Sequence, residues 1–222
     1  MRSWENRTDT AVLDEPLYAH FLATTGLDHP GADDIVAAGP RRWQEAVDRC
    51  VDPPMGQAET ISYQKQMAHH LLPGCDLGWI AGSANVLLLR HPRRVIASYV
   101  RVRQLPTLED LGFPQLMMLQ RRFGPLPVIE ADSFLQNPED ALRSLCGTLD
   151  VPFDTAMLAW PVGPRATDGV WARDWYRAVE ASTGFSKAPT DDPATIELPS
   201  PLEPVARDAQ RLFDVLQRSG TG

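Results

Sequence analysis

A change of hydrophobic period within residues 85–103, NVLLLRHPRRVIASYVRVR, constrains the fold of this 222-residue chain more than any other feature. Val86-Leu87-Leu88-Leu89 is apolar at every position, the pattern of a strand buried on both faces, as in a parallel sheet. Arg90 closes the run and His91-Pro92 breaks it, with Pro92 suited to the first position of a helix, where a missing N–H costs nothing. From there, steps of 100° per residue gather Pro92, Val95, Ile96, Tyr99, Val100 and Val102 on one arc of about 160°. Arg93, Arg94, Ala97, Ser98 and Arg101 take the other side, and Arg103 departs from the pattern. The stretch reads as strand, tight turn, amphipathic helix.

That order places chemistry. In open parallel α/β sheets ligands bind at the carboxyl ends of strands, where helix N-termini point. Arg90 stands at such an end, with His91, Arg93 and Arg94 crowding the turn. Cations are unfavourable at a helix N-terminus, so their clustering here suggests an anion nearby, because backbone N–H groups and guanidinium forks both suit phosphate. For Arg93 and Arg94 a simply solvated role stands beside that reading.

The segment Arg90-His91-Pro92-Arg93-Arg94-Val95-Ile96-Ala97-Ser98 resembles the 3′-phosphate-binding segment of sulfotransferases. These enzymes move a sulfuryl group from 3′-phosphoadenosine 5′-phosphosulfate (PAPS) to an acceptor. The resemblance implies that Arg90 and Ser98 hold the 3′-phosphate of PAPS, and that the acceptor is a small hydroxyl or amine compound. Lys65, twenty-five residues before Arg90, matches a family lysine that follows a comparable strand with a histidine nearby. The family histidine lies two positions after the lysine, where this chain has Met67, so His69 and His70 are the candidates, His69 being on the face of Lys65 if a helix has begun. Such a site needs a base near the acceptor oxygen and a cation near developing negative charge. Glu15, with Asp14, is the other candidate base, or a residue that orders the histidine; helix capping or ion pairing is the plainer role. Gly169-Val170-Trp171-Ala172-Arg173-Asp174-Trp175 resembles the family's late basic loop, which makes Arg173 a further phosphate candidate, unless the tryptophans simply pack a C-terminal cap.

Taken in order, the chain alternates strands and helices. Strands are expected at Ala11–Leu13, Ile61–Gln64, Val86–Leu89 and Pro127–Ala131, and helices at Leu17–Thr25, Asp33–Ala38, Arg41–Val51, Gln66–Leu72, Pro114–Phe123, Pro138–Leu149, Arg173–Ser182 and Val205–Arg218. That alternation gives an α/β fold, a three-layer sandwich with a mainly parallel sheet, and the resemblance to sulfotransferases implies P-loop nucleotide-hydrolase-like topology for it. It forms one domain over residues 1–222, in which residues 160–204 are an irregular lid and extended segment. The charges that end the strands, Asp14-Glu15, Lys65, Arg90 and Asp132, then fall along one edge. No G-x-x-x-x-G-K-[ST] motif occurs. Met1–Arg7 looks like the helix that follows a phosphate loop in small bacterial members, so the first strand and loop are expected to be lacking, with either marginal stability or a gap in the sheet beside the strand that ends at Arg90. A non-catalytic relative or fragment, and another P-loop-like transferase such as a kinase, are the competing readings.

Composition narrows the class. A net charge of −8 argues against nucleic acid or a membrane surface as partner. Cys50, Cys75 and Cys146 lack CxxC pairing and read as buried thiols of a reducing compartment. No apolar run approaches the roughly 18 residues of a membrane span, and no signal peptide is visible, so a cytoplasmic location is expected. No metal site is expected, because His69 and His70 lack a third ligand at recognisable spacing.

Overall fold

The computed structural model describes residues 1–101 and 105–219. Val102 and Arg103, which the helical wheel included, lie outside the described residues. In chain order the elements are α1 (Arg2–Glu5), β1 (Thr10–Asp14), α2 (Tyr18–Thr25), α3 (Ala32–Ala38), α4 (Trp43–Val51), β2 (Ile61–Lys65), β3 (Leu87–Leu89), α5 (Pro92–Tyr99), α6 (Phe113–Phe123), β4 (Val128–Glu130), α7 (Ala131–Gln136), α8 (Pro138–Thr148), α9 (Ala172–Trp175), α10 (Arg177–Glu180) and α11 (Glu203–Ser219). They divide between two compact units, one of Met1–Gly82 with Asp150–Ser186, the other of Ser83–Leu149 with Lys187 onward.

The first unit is built on the parallel pair β1–β2, with Thr10 opposite Ile61 and Asp14 opposite Lys65. This register brings both strands to an end together, so their terminal charges converge. Gly26, at φ 66°, closes α2 in the left-handed conformation that glycine adopts without a Cβ clash. Tyr18, Phe21 and Leu22 of α2 pack with Ile35 of α3 and with Trp171, Ala172 and Tyr176 from the later part of the unit. Arg2 of α1 is buried against Asp168 through two hydrogen bonds of 2.6 and 2.7 Å. A bidentate pair of this kind keeps both charges satisfied away from water.

The second unit holds the parallel pair β3–β4, with Leu87 opposite Val128 and Leu89 opposite Glu130. Leu87 and Leu89 pack with Phe113 and Met117 of α6 and with Ala209, Phe213 and Leu216 of α11. Pro92 opens α5 as expected, and Ile96 is buried against Leu202 and Ala206. Asn137 caps α8 by accepting from the Asp140 N–H.

Three expectations are corrected. Leu88 is 65% exposed, so β3 is buried on one face and not on both: alternate residues of a strand face opposite ways, and only the face of Leu87 and Leu89 is covered. Gln66–Leu72 is not a helix; an extended Gln66-Met67 leads into a single 3₁₀ turn at Ala68–His70, set by packing of the His70 ring. The expected helix over Arg173–Ser182 is broken at Tyr176 into α9 and α10. Among the described strands, β2 pairs with β1 alone and β3 with β4 alone, which leaves each with one edge free of a strand partner.

Candidate active site

In the first unit the strand-end charges form one buried cluster. The Glu15 N–H donates to the Lys65 carbonyl at 2.9 Å, continuing the β1–β2 ladder one residue past the strand. Glu15 holds φ 39°, in the left-handed region that a residue with a Cβ rarely occupies, and such strain costs about 1–3 kcal/mol. The turn aims its carboxylate at the Lys65 ammonium, which donates directly to Oε1. Asp14 Oδ1 lies 3.5 Å from the same nitrogen. Tyr176 completes the cluster: its hydroxyl accepts from Lys65 Nζ at 2.6 Å and lies 2.8 Å from both Asp14 oxygens, to which it donates. Asp14, Glu15 and Tyr176 are buried, and Lys65 is the partly exposed member through which solvent meets the group.

The electrostatics follow from two carboxylates sharing one ammonium. Burial pushes the Glu15 carboxyl up from its ordinary value, Asp14 adds to the rise, and Lys65 opposes it. Burial likewise raises the Tyr176 phenol, reinforced by Glu15 and Asp14, so the hydroxyl keeps its proton. Neither histidine is among the hydrogen-bond partners of Lys65. His70 is fully buried, stacked on Tyr18 at 4.6 Å between ring centroids, and desolvation holds it neutral. His69 packs edge-on against Phe21. The shared face expected for Lys65 and His69 depended on a helix that does not form.

Arg173 also lies in this unit, on the surface, ion-paired with Asp34 and Asp174. Trp171 is buried in the core beside Tyr18, the packing role weighed for this loop.

In the second unit Arg90 follows β3 directly, exposed and without a hydrogen bond or ion pair among the described residues. Ser98 is exposed on α5, and its hydroxyl likewise has no hydrogen-bond partner among the described residues. The neighbouring arginines are spoken for. Arg93 makes a bidentate pair with Glu203 at 2.9 and 2.7 Å, and Arg94 bonds Asp132 at 2.7 Å and Asp191 at 3.0 Å. Of the four basic residues read in the turn, His91 is pushed towards its neutral form by burial, and Arg90 is the cation left open. Among the described residues no group of three or more His, Cys, Asp or Glu side chains is arranged to hold a metal ion.

The sulfotransferase domain family matches residues 1–208. The chain belongs to that family. Two relatives from Arabidopsis thaliana carry the name branched-chain-amino-acid aminotransferase-like protein 1 and 2. They are 36% and 33% identical over 203 and 202 residues, 89% of this chain in each case. These matches take in 36% and 35% of the relatives, so this sulfotransferase-domain chain spans about a third of their length. Two solved structures share its fold. One is the sulfotransferase domain from the curacin biosynthetic pathway, with a TM-score of 0.52 at 19% identity over 89% of this chain and 78% of that one. The other is the sulfotransferase domain from the Synechococcus PCC 7002 olefin synthase, with a TM-score of 0.53 at 15% identity over 92% and 93%. Among the described residues no helix is long and apolar enough to cross a membrane.

The sequence named Lys65, Glu15 and Asp14 one by one but missed Tyr176, which joins them across 162 residues of chain from Asp14. No local pattern marks it. A tyrosine after two tryptophans at Trp171 and Trp175 reads as core, and its ring is indeed core; the hydroxyl alone serves the cluster.

Proposed function

We propose that this chain transfers a sulfuryl group from PAPS to a small hydroxyl or amine acceptor, with Glu15 as the base and Lys65 as the cation at the transfer site. Membership of the sulfotransferase domain family supports the reaction class. The observation that carries nucleotide binding is Arg90, an exposed guanidinium at the carboxyl end of a parallel strand with no protein anion to satisfy it among the described residues. With Ser98 it offers a planar fork and a hydroxyl, a donor set that fits one phosphate. Arg173, already paired with two carboxylates, fits that task less well.

The donor supplies the sulfuryl group: as the acceptor oxygen or nitrogen bonds to sulfur, the bond from sulfur to the 5′-phosphate oxygen breaks and 3′,5′-adenosine bisphosphate leaves, while the protein's own work is proton transfer and charge placement. An acceptor hydroxyl that attacks sulfur must lose its proton, and Glu15, its basicity raised by burial, takes that proton on a carboxylate oxygen. Lys65, held at Glu15, opposes negative charge growing near it. His69 and His70 take no part in this scheme, because one is packed against Phe21 and the other sealed in the core.

The test is sulfuryl transfer from PAPS to a panel of small alcohols and amines, followed by mass spectrometry. Glu15→Gln is expected to lower kcat by about 10²–10⁴, the usual contribution of a positioned base, with nucleotide binding unchanged. Full activity in Glu15→Gln would remove the carboxylate from the reaction.

A further inference from the structure

We propose that Tyr176 is a positioning residue, whose hydroxyl ties Lys65 to Asp14 and so keeps the ammonium seated against the Glu15 carboxylate. The inference rests on the reading of Glu15 as the base and adds to it a residue that touches no substrate.

A phenolic oxygen has one proton to give and lone pairs to accept with. Here the proton goes to Asp14, whose two oxygens are equidistant at 2.8 Å, and a lone pair receives Lys65 at 2.6 Å. The result is a hydrogen-bonded chain running Glu15, Lys65, Tyr176, Asp14, with a carboxylate acceptor at each end, in which each charged group has a defined neighbour. Direct contact between Lys65 and Asp14 is weak at 3.5 Å, so the hydroxyl is the firm link between them. Without it, the ammonium is free to swing between two buried carboxylates of equal charge.

The tyrosine is itself fixed. Its N–H donates to the Ala172 carbonyl and its carbonyl accepts from Glu180, both at 2.7 Å, so the break between α9 and α10 sits where the ring enters the core. Trp171 Nε1 lies 3.4 Å from the same hydroxyl, and the ring is buried with Tyr18 and Phe21. A side chain anchored in this way places its oxygen without further ordering cost.

The charged groups around Glu15 come from every element that packs there. Asp14 comes from β1, Lys65 from β2 and Tyr176 from the α9–α10 junction; Lys65 in turn acts on the Met1 amino group and on His70, and Asp14 acts on Tyr63. Of these, the hydroxyl of Tyr176 and the ammonium of Lys65 favour the ionised Glu15, and Asp14 disfavours it. Loss of the hydroxyl removes one favourable contact and leaves Asp14 less neutralised, so the midpoint of Glu15 must rise.

The experiment is Tyr176→Phe, read by carboxyl ¹³C NMR titration of Glu15 and by the pH profile of sulfuryl transfer. Glu15→Gln supplies the signal assignment. The expected result is a higher Glu15 midpoint, an acid limb of kcat displaced to higher pH in the same direction, and kcat down about tenfold with KM little changed. A merely structural tyrosine would lower the thermal midpoint and leave both titrations in place, and that result overturns the proposal. If Tyr176→Phe does not fold, 3-fluorotyrosine at position 176 keeps the shape and strengthens donation to Asp14. The Glu15 midpoint then falls, and an unmoved midpoint overturns the proposal in turn. Failure of the underlying reading looks different: the Glu15 titration moves with Tyr176, yet transfer is indifferent to Glu15→Gln.

Discussion

The ends of the two parallel strand pairs treat charge in opposite ways. After β1 and β2, Asp14, Glu15 and Lys65 are buried and saturate one another with the help of Tyr176. After β3, Arg90 is exposed and has no partner among the described residues, although Arg93 and Arg94 one turn later are each held by carboxylates. Protein anions are therefore supplied to the basic residues of α5 and withheld from the one at the strand end. A closed network suits a group whose basicity must be set in advance, because low dielectric magnifies each neighbour's effect. An open guanidinium suits a ligand that brings its own negative charge.

The largest expected effect tests the closed half. Lys65→Met leaves two buried carboxylates without their cation, and loss of one partner of a buried pair costs about 3–5 kcal/mol. The same change at Arg90, which has no partner among the described residues, is expected to leave the thermal midpoint where it is. Chemical denaturation of both variants at pH 7 makes the comparison, and equal losses would break it. The sign with pH is also fixed. Glu15 has a raised folded value, so it binds a proton more readily folded than unfolded, and the Lys65→Met deficit shrinks as pH falls and Glu15 is neutralised.

A smaller effect concerns His70. Burial lowers its folded value well below the unfolded one, so the stability it contributes is present above about pH 6.5 and is lost as pH falls through that value. One such group accounts for at most about 1.4 kcal/mol per pH unit. Thermal midpoints between pH 7 and pH 5 are expected to fall in the wild type and to fall less steeply in His70→Phe, which keeps the stack on Tyr18. Identical slopes would show that His70 takes up its proton without unfolding.

β1 and β3 were legible because short apolar runs closed by a charge and a proline permit few alternatives, and β1, β2, β3 and β4 all lie within a residue or two of where the pattern put them. Arg90, Lys65 and Glu15 were legible for the same reason, as charges at strand ends. What local pattern could not carry was tertiary. The His70 ring was drawn into the cluster of Tyr18 and Phe21, which cost the segment after Lys65 its helix and left neither histidine among the hydrogen-bond partners of the lysine. Leu88 alternates outward, which an all-apolar run conceals. Tyr176 owes its role to a contact that spans most of the first unit's sequence, and no spacing announces it.

The claim on which the nucleotide assignment stands is that Arg90 reads a ribose 3′-phosphate. Calorimetric titration with 3′,5′-adenosine bisphosphate and with 5′-AMP tests it most directly, since the two ligands differ by that phosphate alone. The wild type is expected to prefer the bisphosphate by about 10- to 100-fold, the worth of charge-assisted hydrogen bonds, and Arg90→Ala to erase the preference. Equal affinity for both ligands in the wild type, or a preference that survives in Arg90→Ala, would contradict it.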